Sequence, residues 1–224
     1  MRIAYAARMM PDEPPMTPDK PIRPLQDVWL RPRRVFRELS TQPIGLTDQV
    51  LGAAQGISFA LASCRAKDFG TKFGLVEIFW SATVVGSVVG IASLYVMALI
   101  YVRLGSRAGR PPQRRQVVHV LAYGGVPLLA SVGIWVLTAL LAGEVTFIQA
   151  PRDIEGFVAL LLAAQLASSV LLTLWSVLLQ VMGFSEILAI RIGKAFGIWL
   201  LGQVIAGLAA LFLYVLMSPL FPSA

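Results

Sequence analysis

Charged side chains are absent from four long stretches of this chain, and their absence constrains the fold more than any other feature. The uncharged stretches are residues 78–102, 116–143, 156–185 and 195–224. A helix needs about 20 apolar residues to cross the hydrocarbon core of a bilayer, and each stretch exceeds that length. Charged residues make up only 14% of the chain, against roughly 25% in soluble domains. The pattern predicts an all-α, polytopic membrane protein and excludes soluble, disulfide-rich and nucleic-acid-binding classes.

A fifth uncharged stretch, residues 49–64, is shorter, and the distribution of basic residues indicates whether it crosses the membrane. If it does, the segments on one side hold 15 basic residues and those on the other side hold 4; if it does not, the best division is 12 against 7. Because cytoplasmic segments carry the excess of Lys and Arg, we predict a five-helix transmembrane bundle with a cytosolic N-terminus and an outside C-terminus. An Arg-rich composition typical of bacteria favours an inner membrane. The predicted spans, within a membrane domain of residues 43–217, are about 46–64, 78–102, 117–142, 157–182 and 195–217.

The segment before the first span divides into a tail and a helix. Six of the 14 prolines fall within residues 1–24, which predicts a disordered cytosolic tail. In residues 25–42, Pro32 suits the first position of a helix, and apolar residues including Phe36 share one face while arginines occupy the others. This pattern is typical of an amphipathic helix lying in the headgroup region; the alternative is a solvated juxtamembrane stretch. Residues 218–224 are predicted to form a C-terminal tail.

Arginines cluster before the first span and again between the second and third spans, on the side that the charge count makes cytosolic. Together with two aromatic neighbours they form a predicted binding surface for lipids or a protein partner, which we call the basic face: Trp29, Arg31, Arg33, Arg34, Phe36, Arg37, Arg107, Arg110, Arg114 and Arg115. Each Arg near an anionic membrane surface contributes about 1 kcal/mol, so anionic lipids are the expected partners, with a membrane or cytosolic protein as a further class. The alternative is that these arginines only fix topology during insertion.

Small residues recur at every fourth position in four of the five predicted spans. They allow close approach of helix backbones, which stabilises helix association in lipid. The predicted packing residues are Gly52, Gly56, Gly86, Gly90, Gly202 and Ala206. Packing within one chain and packing in a homo-oligomer both fit this pattern. In the third span Pro127 lacks an N–H and clashes one turn back, which predicts a kink near residues 122–125.

Patterns for catalysis and for metal binding are missing from the sequence. No acidic or basic side chain lies at a span midpoint, and neither a glycine-rich phosphate loop nor a Cys/His metal spacing occurs. We interpret His119, about one turn into the third span, as a hydrated interfacial residue; the alternative is a proton carrier or ligand. Polar residues of the fourth span are interpreted as groups that hydrogen-bond neighbouring helices, the alternative being a polar path: Gln165, Ser168, Ser169, Thr173 and Gln180. We predict a protein without enzymatic activity, cofactor or metal.

Three short elements occur in a characteristic order. Pro32–Phe36 is a proline-then-phenylalanine stretch before the first span, Tyr123–Pro127 opens the third span, and Gly183–Glu186 lies between the fourth and fifth. In this order they resemble the Ypt-interacting-protein family, also called the Yip or YIPF domain, over roughly residues 28–217. The resemblance implies five helical spans and a cytosolic N-terminus. Eukaryotic members bind prenylated small GTPases and act in vesicle traffic; the Asp-Leu-Tyr-Gly-Pro element that their tails often carry is absent here.

These features favour a membrane scaffold or adaptor with a basic cytosolic face, in membrane organisation or a trafficking-like role. The rival class is a small transporter or channel subunit. Transporters usually show inverted repeats and broken helices near mid-membrane, whereas five spans with uncharged midpoints are expected here. A continuous polar cavity through the bundle would favour transport, and a closed core would favour the scaffold.

Overall fold

A computed structural model describes residues 22–108, 111–151 and 156–217, and every regular element in these ranges is helical. The α-helices are α1 (Pro24–Asp27), α2 (Pro32–Leu39), α3 (Leu46–Ala66), α4 (Leu75–Gly105), α5 (Arg114–Gly124), α6 (Val126–Ala142), α7 (Gly156–Leu188) and α8 (Ile192–Met217). Apart from residues 22–24, the predicted tails 1–24 and 218–224 lie outside the described residues. For the described part of the chain, the predicted all-α class is confirmed.

Four helical segments of the described chain are long and apolar enough to cross a membrane. They are Leu75–Gly105, Arg114–Phe147, Gly156–Leu188 and Ile192–Ala209, and they support an integral membrane protein. Helix α3, which covers the predicted first span, is not among them. Its 21 residues include Asp48 and Gln55 and many small side chains, which lower its hydropathy. Length and apolarity therefore establish four candidate crossings rather than the predicted five.

Helix α3 packs antiparallel on α4 through glycines of both helices. An added Cβ atom at Gly56 would lie 2.6 Å from the Cα of Gly90, and one at Gly86 would lie 2.8 Å from the Cα of Ile57. An added Cβ at Gly52 would meet the Leu94 side chain at 3.0 Å. Since no side chain fits between backbones at this distance, glycine is required at the crossing. These predicted packing residues face each other inside one chain, so they are not available to join two copies.

The helix that covers the predicted third span is interrupted. Helix α5 ends at Gly124, α6 begins at Val126, and Pro127 is its second residue. Proline has no N–H to continue the ladder of an incoming helix, but its fixed φ suits the first turn of a new one. The side chain of Gln55 in α3 donates hydrogen bonds to the carbonyl oxygens of Leu121 and Ala122, both at 3.1 Å. An amide from a neighbouring helix thus bonds carbonyls at the break.

The alternating direction of the long helices gives the bundle two ends. We call the end formed by residues 22–48, 103–119 and 185–194 the basic end, and the end formed by residues 65–77 and 143–151 the opposite end. At the basic end, Arg37 Nε donates to Glu186 Oε1 at 2.8 Å. At the opposite end, the backbone N–H of Gln149 donates to Asp68 Oδ1 at 2.7 Å. Helix α3 begins at the former end and finishes at the latter.

The apolar core of the described residues has two parts. The larger part lies toward the basic end, where α2, α4, α5, α7 and α8 meet and the rings of Tyr101 and Phe184 lie 4.5 Å apart between centroids. The smaller part lies toward the opposite end, where Trp135 stacks on Phe147 at 5.6 Å. Residues of both parts, Leu94 of the larger and Cys64 and Ala82 of the smaller, also line an opening on the side of the bundle.

Candidate functional site

The basic end gathers most of the positive charge of the described chain. It holds eleven Lys and Arg residues against four Asp and Glu, whereas the opposite end holds three of each. The basic residues at this end are Arg23, Arg31, Arg33, Arg34, Arg37, Arg103, Arg107, Arg114, Arg115, Arg191 and Lys194. The structure thus brings together the two arginine clusters of the predicted basic face and adds the α7–α8 turn to them. Arg110 of that prediction lies outside the described residues.

Some of these arginines are engaged with the protein itself. Arg37 pairs with Glu186, Arg34 Nε lies 2.9 Å from Glu38 Oε1, and the guanidinium carbon of Arg114 lies 5.2 Å from the ring centre of Tyr95. Arg115 Nε donates to the side chain of Gln113 at 2.7 Å. In a separate group, Arg31, Arg33 and Arg107 are exposed and have no ion-pair partner within the described residues. These three form the part of the basic face that is open to an external anion.

The apolar side of α2 faces protein, so the predicted place of Phe36 in an exposed binding surface is wrong. Phe36 is 1% exposed, and its ring lies 3.2 Å from the position of a Cβ added at Gly183 of α7. Val35 and Leu39 beside it are equally buried. The spacing of the apolar residues in α2 fits the surface of a membrane and the apolar side of a neighbouring helix equally well. In this structure α2 packs on α5 and α7. Trp29 is partly buried and packs against the same core.

His119 is not a hydrated interfacial residue, as the sequence suggested, but lies buried beside a carboxylate. Its side chain is 3% exposed, and its Nδ1 lies 2.7 Å from Oδ1 of Asp48, which is buried to the same degree. Its Nε2 lies 3.2 Å from the carbonyl oxygen of Gln42. The second carboxylate oxygen of Asp48 accepts the N–H of Gly45 at 2.8 Å. The pair therefore fastens the start of α3, and the segment before it, to α5.

The surroundings of His119 define what the pair can do. Both ring nitrogens face oxygen acceptors, and a carbonyl oxygen only accepts, so Nε2 must carry a proton to bond Gln42. A second proton is then held between Nδ1 and Asp48. Because both side chains are enclosed and both nitrogens are engaged, no ring atom is left to receive a substrate. The arrangement is that of a structural ion pair.

A groove of about 920 Å³ opens on the side of the bundle. Helices α3 and α4 form one wall, and α7 and α8 form the other toward the basic end. Phe59 (63% exposed), Val85 (57%) and Val89 (54%) lie along it. The exposed lips show that the groove opens sideways, to the surroundings of the bundle, rather than from one end to the other. Of the predicted packing residues, Gly56, Gly86, Gly90 and Ala206 line it, while Gly202 packs against the Tyr101 ring.

Three glutamines from three helices line the groove in its half toward the basic end. Besides the bonds of Gln55 to the α5 carbonyls, Gln180 Oε1 accepts the indole N–H of Trp199 at 2.8 Å, and Gln203 Nε2 lies 3.3 Å from the Tyr101 hydroxyl. In each side-chain amide, one of the two polar atoms thus forms hydrogen bonds within the protein. For the other atom, namely Gln55 Oε1, Gln180 Nε2 and Gln203 Oε1, the described residues provide no hydrogen-bond partner.

The polar residues of the fourth predicted span have different environments. Gln180 bonds a neighbouring helix, as interpreted from the sequence, but Thr173 Oγ1 donates to its own helix at the Ser169 carbonyl. Gln165 is buried, and neither its amide oxygen nor its nitrogen has a partner in the described chain. Nothing in the sequence pattern separates these glutamines, because their roles depend on which helix each one faces.

No family model, curated protein or solved structure matches this chain. Within the described residues, no group of three or more His, Cys, Asp or Glu side chains is placed to hold a metal ion. Among the described residues, the open arginines of the basic face and the lateral groove are accessible from outside the protein and can bind a further molecule.

Proposed function

We propose that this chain is a non-enzymatic integral membrane protein that acts as a scaffold or adaptor in a bacterial inner membrane, with its basic face toward the cytosol. The observation that carries the proposal is the separation of charge, eleven basic against four acidic residues at one end of the described bundle and three against three at the other. Cytoplasmic segments hold the excess of Lys and Arg in membrane proteins. The neutral opposite end fits the outside.

Five crossings are part of the same proposal. Helix α3 has 21 residues, or about 31 Å at 1.5 Å per residue, which matches the roughly 30 Å hydrocarbon core. It lies along α4, which is apolar enough to span, and links the two ends of the bundle. Its polar residues are sheltered, since Asp48 pairs with His119 and Gln55 bonds α5. With α3 crossing, the chain has a cytosolic N-terminus and a C-terminus outside.

The working surface in this proposal is the group of open arginines, Arg31, Arg33 and Arg107. Guanidinium groups at a membrane surface attract anionic headgroups through charge and paired N–H groups. The protein would gather anionic lipids, or an acidic partner, at the cytosolic surface. The resemblance to the Yip domain supports a role in membrane organisation, and a homo-oligomer fits such a role.

The selectivity of the protein for anionic lipid tests this proposal. The full chain is reconstituted in mixed vesicles, and the motionally restricted fractions of spin-labelled phosphatidylglycerol and phosphatidylcholine are compared. We expect a preference for phosphatidylglycerol that disappears when Arg31, Arg33 and Arg107 are changed to Gln. The matched control changes Arg65, Lys67 and Lys72 of the opposite end to Gln and keeps the preference. Equal loss in both variants would show that only net charge matters and would refute a specific basic face.

A small transporter or channel subunit is the second candidate, and the broken α5–α6 helix next to the groove favours it. Interrupted helices expose backbone groups that form substrate sites in transporters. Here, however, Gln55 already bonds the carbonyls of Leu121 and Ala122, and the groove opens sideways. Solute flux into proteoliposomes that carry the full chain, absent from protein-free vesicles, would replace the scaffold proposal with this one.

A further inference from the structure

The lateral groove lies at the depth of the bilayer and has mostly apolar walls. Helices α4 and α7, which line it, are among the segments long and apolar enough to span a membrane. Its lips carry exposed Phe59, Val85 and Val89. Apolar cavities do not hold water, and the medium outside these lips is hydrocarbon. The occupant of this part of the groove must therefore be hydrocarbon itself.

The length of the groove fits one acyl chain. Along α4 it runs from Ser81 to Met97, which is about 24 Å at 1.5 Å per residue. One leaflet contributes about half of the roughly 30 Å core, or about 15 Å. The groove therefore extends past the middle of the bilayer and can take a chain over its whole length.

The polar residues of the groove lie where a lipid has its ester groups. Helix α7 has 33 residues, or about 50 Å, so it extends about 10 Å beyond a centred hydrocarbon core at each end. Gln180 lies eight residues before the end of α7 at Leu188, or about 12 Å from that end. This places Gln180 close to the boundary between hydrocarbon and headgroups. Its amide N–H group is a donor that the described residues leave unused, and an ester carbonyl is an acceptor.

We propose that the groove is a binding site for one glycerophospholipid of the leaflet at the basic end. One acyl chain lies between the α3–α4 and α7–α8 walls, and its ester carbonyl accepts a hydrogen bond from Gln180. Lys67, the one charged side chain among the groove-lining residues that the structure describes, lies at the far end of the groove. The site therefore recognises the chain and the ester rather than the charge of the headgroup, so it is independent of the basic face.

The first test fills the groove without removing a hydrogen bond. The full chain is placed in nanodiscs of neutral phosphatidylcholine that include a phosphatidylcholine with a photoreactive diazirine in one acyl chain. Irradiation should label the α4 and α7 residues that line the groove, and Val89→Trp should reduce this labelling about tenfold, the equivalent of 1.4 kcal/mol. The matched control is Val88→Trp, because Val88 is adjacent, 65% exposed and outside the groove. Equal labelling of both variants, or labelling spread evenly over all exposed faces, would mean annular lipid only and would overturn the proposal.

The second test addresses the ester contact with a matched pair of glutamines on one helix. Gln180→Leu removes the donor to the ester together with the acceptor of the Trp199 indole N–H, and the lost ester bond alone should lower groove labelling about fivefold. Gln165→Leu should leave it unchanged, since Gln165 is buried in α7 but does not line the groove. Equal effects of the two variants would overturn the role of Gln180. Failure in these neutral nanodiscs leaves the selectivity of the basic face for anionic lipid unaffected, so the two proposals are refuted separately.

Discussion

The crossing of α3 and α4 provides the sharpest quantitative prediction, because a single methyl group tests it. In Gly56→Ala, the new Cβ would lie 2.6 Å from the Cα and 2.7 Å from the N of Gly90. Non-bonded carbon atoms prefer about 3.5–4.0 Å, so the two backbones must separate by roughly 1 Å. A separation of that size loses a quarter to a half of the attractive energy of each van der Waals contact between the two helices.

The expected magnitude combines two opposing effects. Overpacking costs about 1–3 kcal/mol, and we expect about 3 kcal/mol because backbone lies on both sides and no side chain can move away. Replacing Gly by Ala within a helix stabilises the folded state by about 1 kcal/mol through helix propensity. The net loss for Gly56→Ala is therefore about 2 kcal/mol. Gly133→Ala is the matched control, since Gly133 lies inside α6 with nothing within 4 Å of an added Cβ, and it should gain about 1 kcal/mol.

Thermal unfolding of the full chain in detergent measures the difference between the two variants. A gap of about 3 kcal/mol corresponds to roughly 6–12 °C for a chain of this size, with wild type between them. If Gly56→Ala unfolds at the same temperature as Gly133→Ala, the helices do not approach at these glycines. The close packing of α3 on α4 would then be wrong, and with it the placement of one wall of the groove.

Three further predictions concern the ion pair, the helix break and the topology. Asp48→Leu alone should lower the free energy of unfolding by about 3–5 kcal/mol because it leaves His119 buried without its partner. The double variant Asp48→Leu with His119→Leu should recover most of that stability. If denaturation shows that the losses of the two single variants add up in the double variant, the pairing is contradicted. Gln55→Leu should cost about 1–3 kcal/mol, since it removes two hydrogen bonds at the α5–α6 break, and hydrogen exchange should increase there; unchanged exchange would exclude the contact. A reporter active only outside the cytosol should fail when inserted after Thr41 and work when inserted after Thr71 if α3 crosses the membrane, and equal signals at these two positions would exclude the crossing.

The sequence could predict those features that follow from composition along the chain. Long uncharged stretches predict apolar helices because a helix satisfies its own backbone in lipid, and four of them have the required length. The interruption before Pro127 follows from local backbone chemistry in the same way. Such features need no knowledge of which helices are neighbours.

The site could not be predicted, because it depends on contacts between distant residues. Asp48 and His119 are 71 residues apart, and each one alone resembles an interfacial polar residue. The apolar face of α2 has the same period whether it meets lipid or protein, and only the position of α5 and α7 decides between them. The groove lies where the α3–α4 and α7–α8 pairs separate beyond their contact at Tyr101 and Trp199, and no sequence pattern marks such a separation.

The burial of α2 also has a consequence for the time course of biosynthesis. Arg37 in α2 pairs with Glu186, which follows it by 149 residues. At a synthesis rate of about 5–20 residues per second, α2 waits roughly 7–30 s for the end of α7 to be made. During that interval the part of its apolar face that packs on α7 is uncovered, and the nearest apolar phase is the membrane surface. We therefore expect α2 of the nascent chain to rest on the membrane surface first and to dock on α7 once that helix has been inserted.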